Sequence, residues 1–376
     1  MQGMLEGFEA PSTRSADVAR VLVDVDLPHM DRPLDYIVPA GLADAAVVGS
    51  LVRVRLSSAR IDGWIVERTR REVGEGTASL ESVVSSTPVL APSIYETARR
   101  IAARFLATTS QVLSLAIPPR HAEREARDEN APTWPTVTSD HVGLGWEAYP
   151  AGEALVSRLR AGESPRAIAT MLRPRLRRCL SEAVASTVAS RRSVIVVTAT
   201  GEQAGRYARE LSEDLSIPVS LAGSEVAAEK RYRLHVAASL GRVPVVVGTR
   251  SAVWVPCSRL GLIIIVDDGD DRLRERRFPR CDALDVAVQR CAVEGSGLLV
   301  ASSARSVKAQ ALVRSGWAVG IEPTPQALRE ATPRVHLHGS TQAEREGAGG
   351  LMRIPQAALR MIRGALRSGP VLIQVA

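Results

Sequence analysis

Residues 262–266, Leu-Ile-Ile-Ile-Val, contain no polar position, and they stop against Asp267, Asp268, Gly269, Asp270 and Asp271. An apolar run without alternation suits a central parallel strand covered on both faces. The carboxylates then sit at its carboxyl end, where open α/β sheets bind ligands and where carboxylates hold magnesium beside a nucleotide phosphate. Similar runs recur as "SVIVVTA", "IPVSLAG", "VPVVVGT", "GSGLLVASS" and "GPVLIQVA", separated by stretches of helical spacing. That alternation predicts a doubly wound parallel sheet.

The first third of the chain has a different rhythm. "ADVARVLVDVDLP", "AAVVGSLVRVRL" and "IDGWIVERT" alternate or cluster β-branched residues and predict three strands of a small β-rich module. From about Ser93 the spacing becomes helical, with Ile94, Ala98, Ile101 and Phe105 on one stripe, and it ends at Pro118 and Pro119. The expected organisation is a polar tail over 1–16, the β-rich module over 17–119 and a linker over 120–145. An α/β lobe over 146–328 follows, and 329–376 opens a second lobe with one helix and a strand from Gly369.

Charge sharpens this division. Residues 1–150 hold 15 arginines against 20 acids, so the remainder, with 33 basic and 21 acidic residues, carries all of the formal +7. A polyanion should prefer that second part. Only two lysines occur, Lys230 and Lys308. Cys179, Cys257, Cys281 and Cys291 are scattered without a C-x-x-C pair, so no zinc site or disulfide framework is expected. His336 and His338 in "HLH" would share one strand face but lack further ligand spacing, so no metal site is expected there either. The start lacks a signal-peptide pattern and no apolar run is long enough to span a bilayer, so a cytoplasmic, nucleoid-associated protein without membrane contact is the expectation.

A nucleotide hydrolase would need G-x-x-x-x-G-K-[ST], and neither lysine has that setting. The nearest strand-to-helix turn is "VIVVTATGEQAGRYAREL", where Gly201 and Gly205 could bring backbone N–H groups near an anion. With Asp267 and Asp268 these glycines form a degenerate nucleotide site; the alternative is a tight turn beside a solvated acidic loop. No Ser-His-Asp or Cys-His arrangement can be argued, and no catalytic residue is assigned.

Together the motifs resemble the PriA family of primosomal replication-restart helicases. "RPLDYIVPAGL" is similar to that family's DRPFDYLVP and "VGSLVRVRL" to its VGxRVRVPFG. Further along, "VVVGTRSAVWVP" resembles VVGTRSALFAP, "LGLIIIVDDGDD" resembles LGLIIVDEEHD and "LLVASSARS" resembles VLGSATPS. Order and spacing agree from about Asp17 to Val375. The resemblance implies an α/β fold: a β-rich module holding DNA 3′ ends, then a RecA-like helicase lobe and the start of a second. Here the Walker A loop is missing, the DEEH signature reads Asp267, Asp268, Gly269, Asp270, and SAT reads Ser302, Ser303, Ala304. This pattern resembles an ATPase-deficient branch. Family members continue into a second lobe interrupted by a cysteine-rich zinc module, so the chain reads as truncated, with zinc expected only in the C-terminal region it lacks. ATP and magnesium are expected only if the divergent site works.

The resemblance also places DNA contacts. Asp35 matches the family's pocket aspartate for a free 3′ end, but the preceding aromatic is Leu34, a glycine is Ser57 and a lysine is Glu81. Separately, Arg173, Arg175, Arg177 and Arg178 lie close enough to contact several phosphates; the alternative is a solvated arginine face. The expected partners are forked or single-stranded DNA and the restart and single-strand-binding proteins. The expected function is a non-catalytic restart scaffold on forked DNA. Its competitors are a weak DNA-dependent ATPase or 3′–5′ helicase around Gly201 and Asp268, and an inactive truncated product.

Overall fold

The computed structural model describes residues 13–74, 76–85, 87–119, 134–137, 145–223, 226–333, 335, 345 and 354–374. Most of the expected linker and the HLH stretch lie outside them. The chain divides into two units, Met1–Leu328 and Arg329–Ala376.

The first unit starts with an antiparallel sheet of β1 (Thr13–Val23), β2 (Leu34–Ile37), β3 (Leu51–Leu56), β4 (Ala59–Gly74) and β5 (Ser82–Ser85), ordered β2-β1-β4-β3-β5. Ile37 bridges to Ser79, its N–H donating to Ala78 O at 2.8 Å and its carbonyl accepting from Leu80 N at 2.9 Å, so the sheet curls until its two edges meet. The two-residue period of a strand then gives β1 two jobs. Ala19, Val21 and Val23 pack inside the curled sheet with Tyr36, Val54 and Ile65, whereas Leu22 and its cross-strand partner Trp64 point outward into another core. The three expected strands are present; β2 and β5, four residues each, were too short to show a pattern.

The expected helical stretch is two helices, α1 (Pro92–Phe105) and α2 (Thr109–Ala116). Leu106 takes a left-handed φ of 54° and ends α1, and Thr108 with Gln111 forms a capping box that restarts the chain. The stripe Ile94, Ala98 and Ile101 is buried in one core with Leu22, Trp64, Val246, Trp254, Ile263 and Val286. The module and the lobe therefore share hydrophobic interior.

The lobe holds α3 (Gly152–Arg160), β6 (Arg166–Thr170), α4 (Leu176–Ala189), β7 (Ser193–Val197), α5 (Gly201–Leu215), β8 (Val219–Ala222) and α6 (Ala228–Ser239). It continues through β9 (Val245–Gly248), β10 (Leu260–Val266), α7 (Ala283–Glu294), β11 (Gly297–Ser302), α8 (Val307–Arg314), β12 (Val319–Ile321) and α9 (Pro325–Ala331). Its strands form one parallel sheet ordered β12-β6-β11-β10-β7-β9-β8. Ile263 and Ile265 of β10 face the core shared with the module, while Leu262, Ile264 and Val266 face a second core under α4 and α5. This two-sided burial explains the run without polar positions. β6 and β12 were not foreseen in the sequence, and β6 proves decisive below. In the second unit, α10 (Gln356–Ala365) is present, but residues 369–374, expected as a strand, are irregular. Their backbone has no ladder partner among the described residues, and a strand needs one.

A buried polar pin crosses the junction of module and lobe. His235 on α6 is buried, and its Nε2 lies 2.7 Å from Val89 O, just before α1. Burial pushes its pKa down to about 4, against the hydrogen bond to Val89, which raises it. A histidine whose folded pKa is depressed contributes stability that is fully present above about 6.5 and is lost as pH falls toward 4. The loss over that window should reach about 3 kcal/mol. Denaturant melts at pH 7 and pH 4 should show a fall of this order in wild type relative to His235→Gln; parallel losses in both would remove the pin.

Candidate functional site

The carboxyl edge of the parallel sheet brings together the ends of β6, β11, β10 and β7. The turn that reaches the acidic end of β10 is Met171–Arg175, between β6 and α4. Arg173 in this turn donates through Nη1 and Nη2 to Asp267 Oδ2 and Oδ1 at 2.9 and 2.8 Å, a two-pronged pair that matches guanidinium to carboxylate geometry. Three of the turn's backbone N–H groups are also committed. Met171 N donates to Ser302 O at 2.8 Å, Leu172 N to the buried Tyr149 hydroxyl at 2.8 Å, and Arg175 N to Leu172 O at 2.9 Å. Position 174 is a proline without an N–H.

The four carboxylates have separate fates. Asp267, at a left-handed φ of 57°, carries Arg173. Asp268 accepts from the Ser302 hydroxyl at 2.7 Å, while its N–H donates back to Ser302 Oγ at 3.0 Å, and its enclosed Oδ2 has no hydrogen-bond partner. Asp270 caps the next turn and pairs with Arg272 at 2.6 Å; the Arg272 hydrogen bond, working against burial, holds its carboxyl below the usual range. Asp271 is exposed.

Gly201 and Gly205 are placed differently from the sequence reading. Gly201 opens α5 and Gly205 lies within that helix, facing open space. Thr200 caps α5, its Oγ1 accepting from Gln203 N at 3.1 Å, and Ala199 N, ahead of the helix, donates to Gln203 Oε1 at 3.2 Å. The turn Thr198–Thr200 is thus a capped helix start. Of its surroundings, Tyr207 on α5 lies within electrostatic range of Asp267 and Arg173, and burial raises its pKa.

A magnesium–nucleotide group, implied by the family resemblance, does not fit these residues. Carboxylates suit the ion, but a triphosphate needs a loop of free N–H groups and a lysine. The turn facing Asp267 offers a proline, three N–H groups already engaged and an arginine already paired. Lys308 pairs with Asp282 and Asp285 at the start of α7, the latter at 2.7 Å. Among the described residues no group of three or more His, Cys, Asp or Glu side chains could hold a metal ion.

The arginine cluster divides in two. Arg177 on α4 grips Asp214 at 2.6 and 3.1 Å, with Glu213 at 3.7 Å, and so ties α4 to α5. Arg175 and Arg178 form no ion pair among the described residues, and they flank the start of α4, which has no side-chain cap. A helix start with cations beside it favours phosphate.

Asp35 on β2 sits in a charged network. Arg71 donates to its Oδ2, Arg20 lies 3.6 Å from Oδ1, and Arg20 also meets Glu67 at 2.9 Å. Oδ1 keeps acceptor capacity. Ser57 takes a left-handed φ of 54° in the β3–β4 turn, a conformation that glycine adopts without strain. Glu81 binds Arg55 and Arg60 at 3.0 and 2.9 Å, and Leu34 packs against the module core.

The sequence reading missed a cleft of about 360 Å³ where the end of α2 meets the carboxyl ends of β8 and β9. Ile117, Pro118 and Leu234 give it apolar lining, and Arg231, Arg250 and Arg277 bring charge to it. Arg231 Nε is enclosed without a partner, while Arg250 and Arg277 share Glu275 at 3.2 and 3.8 Å. Burial opposes ionisation of Glu275, but the Arg277 N–H, the Arg250 guanidinium and the Arg276 N–H outweigh it and hold its carboxyl low. The "GTRSA" motif forms part of this wall: Gly248 lies so close to Ala222 O that a Cβ there would collide with it. The run "RERRFPR" was the available signal in the sequence.

The Tyr149 hydroxyl is the partner of a buried N–H, so Tyr149→Phe should destabilise the chain by about 1–3 kcal/mol. Exposed Arg178→Ala should stay within about 0.5 kcal/mol. Equilibrium denaturation of both variants checks the contrast, and a neutral Tyr149→Phe would show that the turn is held by other contacts.

The family described as 3'DNA-binding domain (3'BD) of PriA matches residues 20–118. Proteins described as probable replication restart protein PriA from Mycobacterium bovis and Mycobacterium tuberculosis are each 36% identical over 359 residues, covering 93% of this chain and 54% of theirs. The Mycobacterium leprae protein of the same description is 33% identical over 361 residues, covering 93% and 55%. The chain thus spans about half the length of these relatives. Among solved structures, RecG bound to a three-way DNA junction is 14% identical with a TM-score of 0.35, covering 84% of this chain and 52% of that one. No described helix is long and apolar enough to cross a membrane. Along 93% of its length, the chain matches the PriA family of replication restart proteins.

Proposed function

We propose that this chain binds forked DNA as a non-catalytic scaffold of replication restart, presenting the fork to restart and single-strand-binding proteins. The observation that carries the reading is the β6–α4 turn. It spends three of its four N–H groups and the Arg173 side chain on the protein itself, which leaves little there to hold a nucleotide. Cationic surface available to nucleic acid lies elsewhere, at Arg175 and Arg178 beside the start of α4 and in the Arg231 cleft. Sequence-independent affinity for DNA comes from such phosphate contacts and their released counterions. With aromatic residues at 3%, stacking platforms are few, so backbone contact is the main mode.

The purified chain should hydrolyse no ATP above background, with or without single-stranded DNA. A DNA-stimulated rate near ~1 s⁻¹, ordinary for enzymes, would restore the helicase reading. Fork binding should weaken with salt, and Arg175→Ala with Arg178→Ala should reduce the log–log slope by roughly 0.7 to 0.9 per lost phosphate contact. Arg177→Ala should leave the slope unchanged, because its guanidinium serves Asp214. Equal slopes in all variants would make the surface at α4 a solvated face.

Terminal recognition by Asp35 is a finer part of the same proposal. Its Oδ1 can accept from a free 3′-hydroxyl, so forks ending in a 3′-hydroxyl should bind better than 3′-phosphate forks by roughly 0.5 to 3 kcal/mol, the range from a neutral to a charge-assisted hydrogen bond. Asp35→Ala should abolish the difference. If wild type shows no difference, Leu34, Ser57 and Glu81 have removed end recognition.

A further inference from the structure

We propose that the Arg173 guanidinium is a built-in counter-cation for the acidic end of β10, standing where a nucleotide-binding lobe of this topology would place a divalent ion, and so locks the β6–α4 turn onto the sheet. The inference comes from the misfit described above. Asp267 and Asp268 are carboxylates suited to a hard cation, yet the cation that Asp267 holds is covalently part of the neighbouring turn. Both Asp267 oxygens are engaged by both terminal nitrogens of Arg173, at 2.8 and 2.9 Å. The turn is also fastened by Met171 to Ser302 O and by Leu172 to the Tyr149 hydroxyl, so the guanidinium is delivered from a positioned backbone. Ser302 in turn holds Asp268, and one network therefore runs from β6 through β11 to β10.

Electrostatics gives the pair a reason to exist. Arg173 lies just ahead of α4, where the positive end of the helix and Arg175, Arg177 and Arg178 oppose another cation. Asp267 offsets that repulsion, and Arg173 offsets the mutual repulsion of Asp267 and Asp268. The titratable groups facing the pair are Asp268 from β10 and Tyr207 from α5. Arg173 is a positioning residue in this account.

The proposal deepens the non-catalytic reading but is tested independently of it, by stability and amide exchange rather than hydrolysis or DNA binding. The full chain is compared with Arg173→Ala, Asp267→Asn and the double variant; asparagine tolerates the left-handed backbone at 267. Arg173→Ala should speed exchange of the amides over residues 171–176 roughly five-fold, the scale of a partly exposed ion pair. Adding Asp267→Asn should cancel most of that loss, since no charge is then left unpaired. Magnesium chloride, against sodium chloride of equal ionic strength, should restore protection in Arg173→Ala but not in wild type or the double variant. An unchanged Arg173→Ala, additive single variants, or no magnesium-specific rescue would each overturn the counter-cation role. Asp267→Asn losing as much protection as Arg173→Ala without mutual cancellation would do the same.

Discussion

Everything placed at the carboxyl edge depends on the parallel sheet being covered on both faces. One face of β10 and β7 is buried under α4 and α5, and the other under a core to which α1, α2, Leu22 and Trp64 of the N-terminal module contribute. Ile101, Leu113, Val246 and Ile263 are all essentially inaccessible to solvent in that shared core. Exposing such side chains costs about 1.5–3 kcal/mol each, so parting the two halves would forfeit stability comparable with the whole usual margin. The module is therefore part of the lobe's structure. Its position fixes the cleft between the end of α2 and Arg231.

Buried polar groups in this arrangement satisfy backbone carbonyls of the core. Arg290 on α7 is fully buried, donating to Val253 O at 2.6 Å and Val255 O at 2.9 Å, with Glu294 neutralising it at 2.6 Å. It satisfies carbonyls of the segment following the GTRSA motif, which could not otherwise be buried without cost. His235 does the same for Val89 from the opposite wall. Apolar packing supplies the energy of the junction; Arg290 secures the lobe's own segment, and His235 makes the polar contact from lobe to module.

What could be read from the sequence followed the strength of local pattern. The long strands of the module and the interior strands β7, β9, β10 and β11 announce themselves through alternation or unbroken apolar runs. β6, "RAIAT", does not: it is short, begins with arginine and precedes a proline-containing turn. Missing it moved the expected nucleotide turn one βα unit along the chain, to Gly201 and Gly205. Topology corrects this, because β6 lies beside β11 and sends Arg173 to Asp267 across the carboxyl edge. No one-dimensional pattern links residues 94 positions apart. The family motifs were legible because glycine, threonine, arginine and carboxylates recur there at fixed spacing, whereas the partners of Arg177 and Asp35 depend on three-dimensional neighbours.

The division of the arginines has a consequence for binding. An arginine already gripping a carboxylate in two-pronged geometry must give up that pair to meet a phosphate, so its net contribution to DNA affinity is small even when it is exposed. Arg173 and Arg177 are in that state, whereas Arg175 and Arg178 need no such exchange. Net charge over the second part of the chain therefore overstates its attraction for a polyanion. Cationic charge without an ion pair among the described residues stands at Arg175 and Arg178 beside the start of α4, whereas in the cleft Arg250 and Arg277 share Glu275. The spacing of these two sites is held by the cores on the two faces of the sheet, so the same apolar contacts that stabilise the fold also fix where they stand.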